Sequence, residues 1–399
     1  MKRMKSGFII LLTLFLLTGC WNRRELNELV IALAIGIDKT ENGYRFSVQL
    51  INPTSSSQAT KKGAVGPTVR VASAEGETLF EAWRRLTQST PRKVYFAHVQ
   101  LLILDEEVVK GGLKSLLDPL IRDHELRNDF YVGVARGSSA EDVISILTIL
   151  EPIPALSLHS MIASSSDHYG TINSYKFDEL LEDLKTDGKE LALSGIKVDG
   201  DIKAGREMSN TESSNPTTQL NLDNMAVFKD DRFVGWFNEN QSKGYNYSQG
   251  NIKSTAEVFS CPNDKEGKYS VEVIRVGSKS KASIRKGSPE VVIDIQVEGN
   301  LIDAECEVNP VDVKIHSDIE KKLESKVERL VKEAITASQD EFQSDLLGFG
   351  STVHRKEAAY WRENYKKWND IFPTVKSTVK VTAKIHNTGT LGESLKEGG

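Results

Sequence analysis

The first twenty residues most constrain what this chain can become. Lys2, Arg3 and Lys5 precede an apolar run over residues 8–17, which is broken only by Thr13, and small residues follow it. This order of charge, apolar core and small residues is the layout of an export signal. A helix over the run would span about 15 Å, half of the roughly 30 Å hydrocarbon layer of a bilayer. The run is therefore too short to anchor the protein by crossing a membrane.

The leader closes with Leu17-Thr18-Gly19-Cys20, which resembles a bacterial lipobox. In such a motif the leader is cleaved before the cysteine, and the thiol carries a diacylglyceryl group. We therefore predict a lipoprotein signal peptide over residues 1–19, which is removed, and lipid attachment at Cys20. Two acyl chains, at about 0.8 kcal/mol per buried methylene, hold a protein stably at a membrane. The alternative is an ordinary signal peptide with an incidental cysteine.

The length and net charge of the mature chain limit its number of domains and its possible partners. Removal of residues 1–19 from the 399-residue sequence leaves 380 residues, more than one hydrophobic core usually holds, so we expect two or three domains. The net charge changes from −5 to −8, because the leader carries three basic residues and no acidic one. A mildly acidic chain without a block of lysine and arginine argues against nucleic-acid binding. No other apolar run is long enough to cross a bilayer.

Cysteine use is sparse. If Cys20 is lipidated, only Cys261 and Cys306 remain, and no C-x-x-C motif or histidine at metal-ligand spacing accompanies them. Outside the cytoplasm these two cysteines could form one disulfide, or they could remain two buried thiols. Sequence spacing does not decide between the two.

Apolar patterning predicts an α+β fold with several domains. Residues 29–37 are nearly all apolar and β-branched, as expected for a buried strand, and residues 44–50 alternate as a second strand. Asn42-Gly43 between them is a hairpin signal. Strands and helices then alternate up to a strand over residues 191–198, which predicts mixed sheets with flanking helices. We assign residues 20–198 to this N-terminal region, comprising one or two subdomains.

Two details of that region are testable against a structure. Residues 94–104 are predicted to form one strand, with alternate side chains from Tyr95 to Ile103 on one face. His98 would lie on the other face as a hydrogen-bonded core residue, which is the usual role of a single histidine in a buried strand.

The second half has a different pattern. Residues 199–223 have little apolar content and are predicted to be a linker or long loop. Residues 224–390 are predicted to form an α+β domain, and residues 391–399 a disordered tail. The α+β domain would contain a hairpin with an Asp230-Asp231 turn and an antiparallel sheet. It would also contain one long amphipathic helix that stops at Gly348, together with further helices. In the next helix Trp361, Tyr365 and Trp368 share a stripe, which we expect to pack in the core. The sheet strands are predicted at residues 252–259, 269–278, 290–298 and 301–307, with a last strand at 375–385.

The search for catalytic motifs finds none. The sequence has no G-x-S-x-G elbow, H-E-x-x-H zinc pair, Walker loop or G-x-G-x-x-G fingerprint. The single G-x-G, Gly348 to Gly350, follows a helix and is explained by a C-cap. We therefore predict no catalytic residue, no cofactor and no metal, and a binding or assembly role in place of an enzyme.

Several ordered motifs resemble the Ger(x)C lipoproteins, the C subunits of spore germinant receptors. The resemblance covers nearly the whole mature chain, although Asn22 stands where the family usually has Asp. The motifs are Cys20-Trp21, residues 34–38 (AIGID), 96–98 (FAH), 122–127 (RDHELR), 226–230 (AVFKD), 234–236 (VGW) and 343–350 (QSDLLGFG), and the helix with Trp361 and Trp368.

The resemblance implies a lipoprotein that is anchored through Cys20 to the outer face of the spore inner (cytoplasmic) membrane. There it would assemble with two integral-membrane subunits into a nutrient-sensing receptor. It identifies neither the nutrient nor any nutrient contact of this subunit. The charges of residues 122–127 alternate in sign, which suits a local ion-pair network or an inter-domain hinge. We predict a partner interface from this segment and the exposed part of residues 235–245, comprising Arg122, Asp123, Glu125, Arg127 and Trp236.

The sequence is also compatible with two other functional classes of protein. A solute-binding lipoprotein that delivers a small nutrient to a transporter would need a cleft between lobes. An envelope hydrolase would need a pocket with paired carboxylates, or with a nucleophile and its base.

Overall fold

The computed structural model describes residues 28–52, 66–123, 125–261, 266–305 and 313–386, the last range with side chains from residue 316. The structure confirms the predicted α+β class, because it contains two β-sheets with flanking helices. The predictions for residues 1–19, Cys20, His124, Cys306 and residues 391–399 fall outside the described residues.

Within the described residues, the first sheet has nine strands in the order β3-β2-β1-β5-β6-β7-β8-β9, and β4 also pairs with β1. The four central strands β1, β5, β6 and β7 run parallel to one another. On one side β2 and β3, and on the other side β8 and β9, continue the sheet with antiparallel pairing. The bounds are β1 (Leu29–Thr40), β2 (Gly43–Ile51), β3 (Val69–Gly76), β4 (Lys93–Tyr95), β5 (Leu101–Asp105), β6 (Tyr131–Arg136), β7 (Ala192–Gly200), β8 (Thr218–Lys229) and β9 (Arg232–Trp236). The predicted hairpin turn at Asn42-Gly43 joins β1 and β2.

Helices cover both faces of this sheet, because successive side chains of a strand point to opposite sides. Leu102 and Leu104 of β5 belong to the core on one face, while Leu101 and Ile103 belong to the core on the other. The helices of this N-terminal unit are α1 (Leu79–Arg85), α2 (Glu106–Lys110), α3 (Leu113–Arg122), α4 (Ala140–Ser145), α5 (Pro154–His168), α6 (Phe177–Asp183), α7 (Ile202–Gly205) and α8 (Ser209–Glu212). Helices α1, α2, α3 and α6 pack on the first face, and α4 and α5 pack on the second.

The predicted single strand over residues 94–104 is wrong. The chain leaves β4 after Tyr95, turns, and enters β5 at Leu101. Phe96 and Val99 of the turn are buried, and their apolar character extended the strand pattern across it. His98 lies exposed in this turn, so it is not a core residue.

The structure also differs from the predicted division of the chain. The segment 199–223 contains α7, α8 and the first part of β8, and it does not form a free linker. β7 and β8 pair antiparallel from Ala192↔Val227 to Gly200↔Thr218. The hairpin of β8 and β9 therefore extends the first sheet, although the sequence assigned it to the second domain.

The second sheet, in the part of the chain that the structure describes, has four strands in the order β10-β11-β12-β13. Their bounds are β10 (Thr255–Ser260), β11 (Lys268–Arg285), β12 (Ser288–Ala304) and β13 (Lys376–Ile385). Its first three strands are antiparallel as predicted, and β13 is parallel to β12. The helices of this C-terminal unit are α9 (Glu239–Gln249), α10 (Val313–Thr336), α11 (Phe349–Lys356), α12 (Ala358–Asn364) and α13 (Trp368–Ile371). The long helix α10 packs Leu323, Val327 and Leu330 against the sheet.

Three details of the C-terminal unit differ from prediction. β12 is one continuous strand where the sequence indicated two. α10 ends at Thr336 and a π-turn over Ala337–Glu341 follows, so Gly348, with φ 71°, precedes α11 as its N-cap and does not cap α10. Trp361 and Trp368 are buried as expected, but Tyr365 is 43% exposed.

The two units share an apolar core. Met225 and Val227 of β8 pack there with Tyr245 of α9, with Ala334 near the end of α10, and with Phe342, which follows the π-turn. Among the described residues, no helix has both the length and the apolar character needed to cross a membrane.

Candidate interaction surface and unit junction

A cleft of about 250 Å³ lies between α1, β4 and the segment that follows α3, and we call it the β4 cleft. Its walls combine apolar and charged side chains from Trp83, Arg84, Leu86, Thr87, Lys93, Val94, Phe96, Asp123 and Glu125. The apolar part belongs to an aromatic cluster: Trp83 stacks on Phe46 with ring centroids 5.3 Å apart, and Phe96 meets Trp83 edge-on at 5.0 Å. Two of the five predicted interface residues, Asp123 and Glu125, therefore lie on the rim of a cleft with an apolar floor.

The charged segment after α3, by which we mean the last residue of that helix, Arg122, and the residues up to Arg127, forms ion pairs with residues outside the segment. Arg122 Nε lies 2.7 Å from Asp118 Oδ2, and Arg127 lies 3.3 Å from Asp129. Glu125 pairs with Lys93 of β4 at 2.5 Å, and its backbone N–H donates to Asp123 Oδ1 at 2.7 Å. The Arg122 and Arg127 side chains are 76% and 66% exposed, so both guanidinium groups face solvent and could reach a partner.

Exposed apolar side chains lie on α1 and α3, the helices next to the cleft in the chain. Phe80 of α1 is 48% exposed and Ile121 of α3 is 47% exposed, and the Arg84 guanidinium lies 4.9 Å from the centroid of the Phe80 ring. An apolar floor, mixed charges and exposed apolar side chains are common features of a protein interaction surface.

Trp236, the fifth predicted interface residue, contacts a different set of residues. Its indole Nε1–H donates to Glu106 Oε2 at 3.3 Å, and Arg136 lies over its ring at 4.7 Å. Arg136 also pairs with Asp223 of β8 at 2.9 Å. The half-buried Trp236 thus ties β9 to the beginning of α2 and the end of β6, and the structure does not bring it into the β4 cleft.

The motif over residues 34–38 has a structural role. Asp38 is buried, and its carboxylate accepts the N–H groups of Ala140 at 2.5 Å and Glu141 at 3.1 Å, at the N-terminus of α4. Burial raises its pKa to about 6, although these two hydrogen bonds lower it. Gly36 allows this close approach, because a Cβ there would lie 3.2 Å from the carbonyl carbon of Ala140 and α4 would have to shift slightly to make room for it.

The motif over residues 343–350 lies at the junction of the two units. Asp345 is buried, and its carboxylate accepts the N–H groups of Phe349 and Gly350 and the indole N–H of Trp368, at 2.7 to 2.8 Å. Its backbone carbonyl accepts the N–H of Glu190, beside β7, at 2.9 Å. Burial raises the pKa of Asp345 to about 6. Asp345 therefore organises the start of α11 and joins it to the N-terminal unit.

A cavity of about 190 Å³ lies beside Asp345, and we call it the junction cavity. Its inner wall includes the buried Trp361 and Trp368 together with Asp345 and the half-buried Glu190. Exposed side chains surround its mouth: Lys114, Asp230, Tyr365, Lys366 and Asn369. Burial and the charges of Asp230 and Asp345 raise the pKa of Glu190 to about 8.

Sequence reasoning missed this junction. Asp345, Trp361 and Trp368 were in motifs that it singled out, but the Gly348-Phe-Gly350 turn was interpreted as the end of a helix. Glu190 and Gly188 carried no signal, because a short loop between α6 and β7 has no periodicity. The described residues contain no group of three or more His, Cys, Asp or Glu side chains placed to bind a metal ion.

The cysteines are partly described. Cys261 lies buried at the end of β10 and is disulfide-bonded. The other two cysteines of the chain, Cys20 and Cys306, lie outside the described residues.

Comparison with known families gives two matches that cover most of the chain. Residues 22–198 match the model described as "Spore germination protein N-terminal domain". Residues 223–389 match the model described as "Spore germination B3/ GerAC like, C-terminal".

Individual relatives are similar over nearly their full length. Spore germination protein KC of Bacillus subtilis is 29% identical over 97% of this chain and 96% of its own length. Spore germination protein B3 of the same organism is 24% identical over 98% of this chain and 100% of its own length. The crystal structure of the GerBC protein matches with a TM-score of 0.54 at 20% identity, covering 88% of this chain and 97% of that protein. This likeness supports the fold.

Proposed function

The chain belongs to the Ger(x)C, or GerAC-like, family of spore germination proteins, and on that premise we propose that it is a lipid-anchored accessory subunit of a spore nutrient germinant receptor. The observation that carries the proposal is the pair of family matches, which together span both structural units. The role would be assembly or signalling with two integral-membrane partners, at the outer face of the spore inner membrane. No reaction is part of the proposal.

Chain geometry favours a membrane-proximal position for the β4 cleft. Leu29 pairs with Lys93, which lines the cleft. The residues from Cys20 to Leu29 cannot separate their ends by more than about 30 Å, whatever their conformation. If Cys20 is lipidated, the cleft wall therefore lies within about that distance of the membrane surface.

We propose that the β4 cleft and the charged segment beside it, with Arg122, Asp123, Glu125 and Arg127, contact the membrane subunits. The lipid confines the protein to a thin layer beside its partners, which raises their effective concentration without any added contact. Trp236 is not included in this surface, because its contacts are with other residues of its own unit.

The anchoring proposal is tested at Cys20. We expect mass spectrometry of the protein from spore membranes to find an N-terminus that begins at a diacylglyceryl-modified Cys20. Cys20→Ala should release the protein from the membrane fraction and prevent germination by its nutrient, whereas Asn22→Ala should leave both unchanged. A Cys20→Ala protein that stayed membrane-bound and fully functional would overturn the anchoring argument.

The receptor role is tested by purification of the tagged protein from spore membranes in mild detergent. We expect two integral-membrane proteins to co-purify in constant ratio. Recovery of the intact, lipidated protein without them would contradict the proposal.

A further inference from the structure

We propose that the junction cavity binds a small molecule that carries a primary ammonium group, with Glu190 and Asp230 as its carboxylate ligands. This inference does not depend on the proposed function, since it rests on the walls of the cavity alone. It adds a ligand site to a protein for which we otherwise propose only protein and membrane contacts.

The size of the cavity limits the ligand. At about 190 Å³ it is smaller than the roughly 300 Å³ at which sites for drug-sized molecules begin, so only a small organic molecule fits. The cavity lies between two structural units, which is a common position for ligand sites. Gly188 on one side and the indoles of Trp361 and Trp368 on the other close its inner end, while the mouth opens to solvent.

The carboxylates of the cavity are not equivalent. Asp345 is fully used by two backbone N–H groups and the Trp368 indole, and Asp183 pairs with Lys189 at 2.7 Å. Glu190 and Asp230, in contrast, form no ion pair among the described residues. Asp230 accepts the amide N–H of Asn369 at 3.4 Å, and the backbone N–H of Asp230 hydrogen-bonds the carboxylate of Glu190, which leaves further acceptor positions on both groups. Both can therefore accept hydrogen bonds from a ligand.

The other walls also suit a cation. Ring faces attract ammonium groups within about 6 Å, and the buried Trp361 and Trp368 line the cavity. Tyr365 also lines it, but Lys366 Nζ already lies 5.8 Å from the centroid of its ring. Three lysines also line the cavity: Lys189 is paired with Asp183 at 2.7 Å, and Lys114 and Lys366 are exposed at the mouth. Lys114 acts on Glu190 only through a weak electrostatic attraction, which is smaller than the opposing effects of burial, Asp230 and Asp345.

Ligand binding should be linked to a proton. Burial and the carboxylates of Asp230 and Asp345 raise the pKa of Glu190 to about 8, so its carboxyl group is mostly protonated at pH 7 in the free protein. An ammonium ligand favours the ionised form, and its binding at pH 7 must release the proton. The affinity should therefore rise several-fold between pH 7 and pH 8 and level off above that.

The test measures binding of ethylammonium chloride to the purified full-length protein by titration calorimetry. The titration is repeated in two buffers of different ionisation enthalpy, because the difference in observed binding enthalpy gives the number of protons released. Propan-1-ol, which is neutral and of similar size, serves as the ligand control. We expect saturable binding of ethylammonium with proton release at pH 7, and binding of propan-1-ol at least tenfold weaker. Absence of saturable ethylammonium binding at pH 8, or equal binding of propan-1-ol, would overturn the proposal.

Variants locate the site. Glu190→Gln and Asp230→Asn should each weaken ethylammonium binding at least tenfold, and Glu190→Gln should also abolish proton release. Glu179→Gln, in α6 and outside the cavity lining, is the matched control and should bind like the unmodified protein. Thermal unfolding of each variant shows that it is folded, and a folded Glu190→Gln protein with unchanged affinity would contradict the proposal.

The outcome is separable from the receptor proposal. Loss of ethylammonium binding with intact co-purification of membrane proteins would count against the site alone. Binding without co-purification would count against the receptor role alone.

Discussion

The backbones of Gly188 and Gly350 touch at the junction of the two units. A Cβ built on Gly350 would lie 2.7 Å from the Cα of Gly188, and one built on Gly188 would lie 2.6 Å from the carbonyl carbon of Gly350. The N–H of Ser351 donates to the carbonyl of Gly188 at 2.8 Å. No larger residue fits at either position without movement, so the pair fixes how closely the loop before β7 approaches α11.

Replacement of Gly188 should therefore destabilise the junction. Gly188 has φ +78°, so Gly188→Ala costs about 1–2 kcal/mol for the left-handed backbone, and the clash adds about 1–3 kcal/mol. Gly137→Ala is the matched control, because Gly137 has φ +71° but open space around its Cβ position. We expect chemical unfolding to show a loss of about 1–2 kcal/mol for the control and a clearly larger loss for Gly188→Ala. Equal losses would show that the units do not meet as described.

The stability of the protein should fall as the pH rises from 7 to 9. The folded-state pKa of Glu190 is about 8, above the ordinary value of a glutamate, so protonation favours the folded state and this contribution is lost as the pH rises toward 8. Asp38 and Asp345, with pKa values of about 6, shift stability in the same direction but are mostly ionised by pH 7. The free energy of unfolding should drop by about 1.4 kcal/mol over this window.

Glu190→Gln isolates that contribution. The variant cannot ionise, so its free energy of unfolding should change much less between pH 7 and 9. Urea unfolding at several pH values provides the measurement, and Glu179→Gln should keep the dependence of the unmodified protein. A Glu190→Gln protein with the same pH dependence would contradict the assignment.

Local patterns predicted local elements well in this chain. The Asn42-Gly43 turn and the alternation of residues 44–50 gave the first hairpin, and Trp361 and Trp368 were correctly expected in the core. Patterns failed where a tertiary contact decides. Tyr365 shares the helical stripe of the two tryptophans, yet it lies at the mouth of a cavity, because the chain changes from α12 to a 3-10 turn there.

Strand pairing explains the other differences. Nothing local distinguishes β8 as the partner of β7, since the two pair across the segment that was predicted to be a linker. The same limit applies to the candidate surfaces. The motifs with Phe96, Asp123 and Glu125 are separated in sequence but share the β4 cleft, and only the sheet brings them together.

Trp236 provides a test of a structural role against an interface role. Trp236→Phe keeps an aromatic ring over Arg136 but removes the indole N–H that Glu106 accepts. We expect the free energy of unfolding to fall by about 1 kcal/mol, the usual worth of one hydrogen bond, while co-purification with membrane proteins stays unchanged. Loss of co-purification at unchanged stability would instead place Trp236 in the interface.

Substitutions in the charged segment after α3 should, in contrast, change co-purification and leave stability nearly unchanged. The exposed pairs of Arg122 with Asp118 and of Arg127 with Asp129 contribute little to stability, because solvent screens them. Arg122→Glu with Arg127→Glu should therefore leave the thermal unfolding temperature nearly unchanged. It should abolish co-purification with the membrane subunits, because a reversed charge meets the partner surface with repulsion.

The matched control reverses the charge of two arginines on the second sheet whose exposure is similar to that of Arg122 and Arg127. Arg275 and Arg285 of β11 are each 74% exposed and pair with Glu298 and Glu290. Arg275→Glu with Arg285→Glu changes the net charge by the same amount, so it accounts for effects of net charge alone. We expect this control to co-purify normally and to support germination. If both double variants co-purified normally, the surface beside the β4 cleft would not be the interface; if both failed, net charge would be the cause.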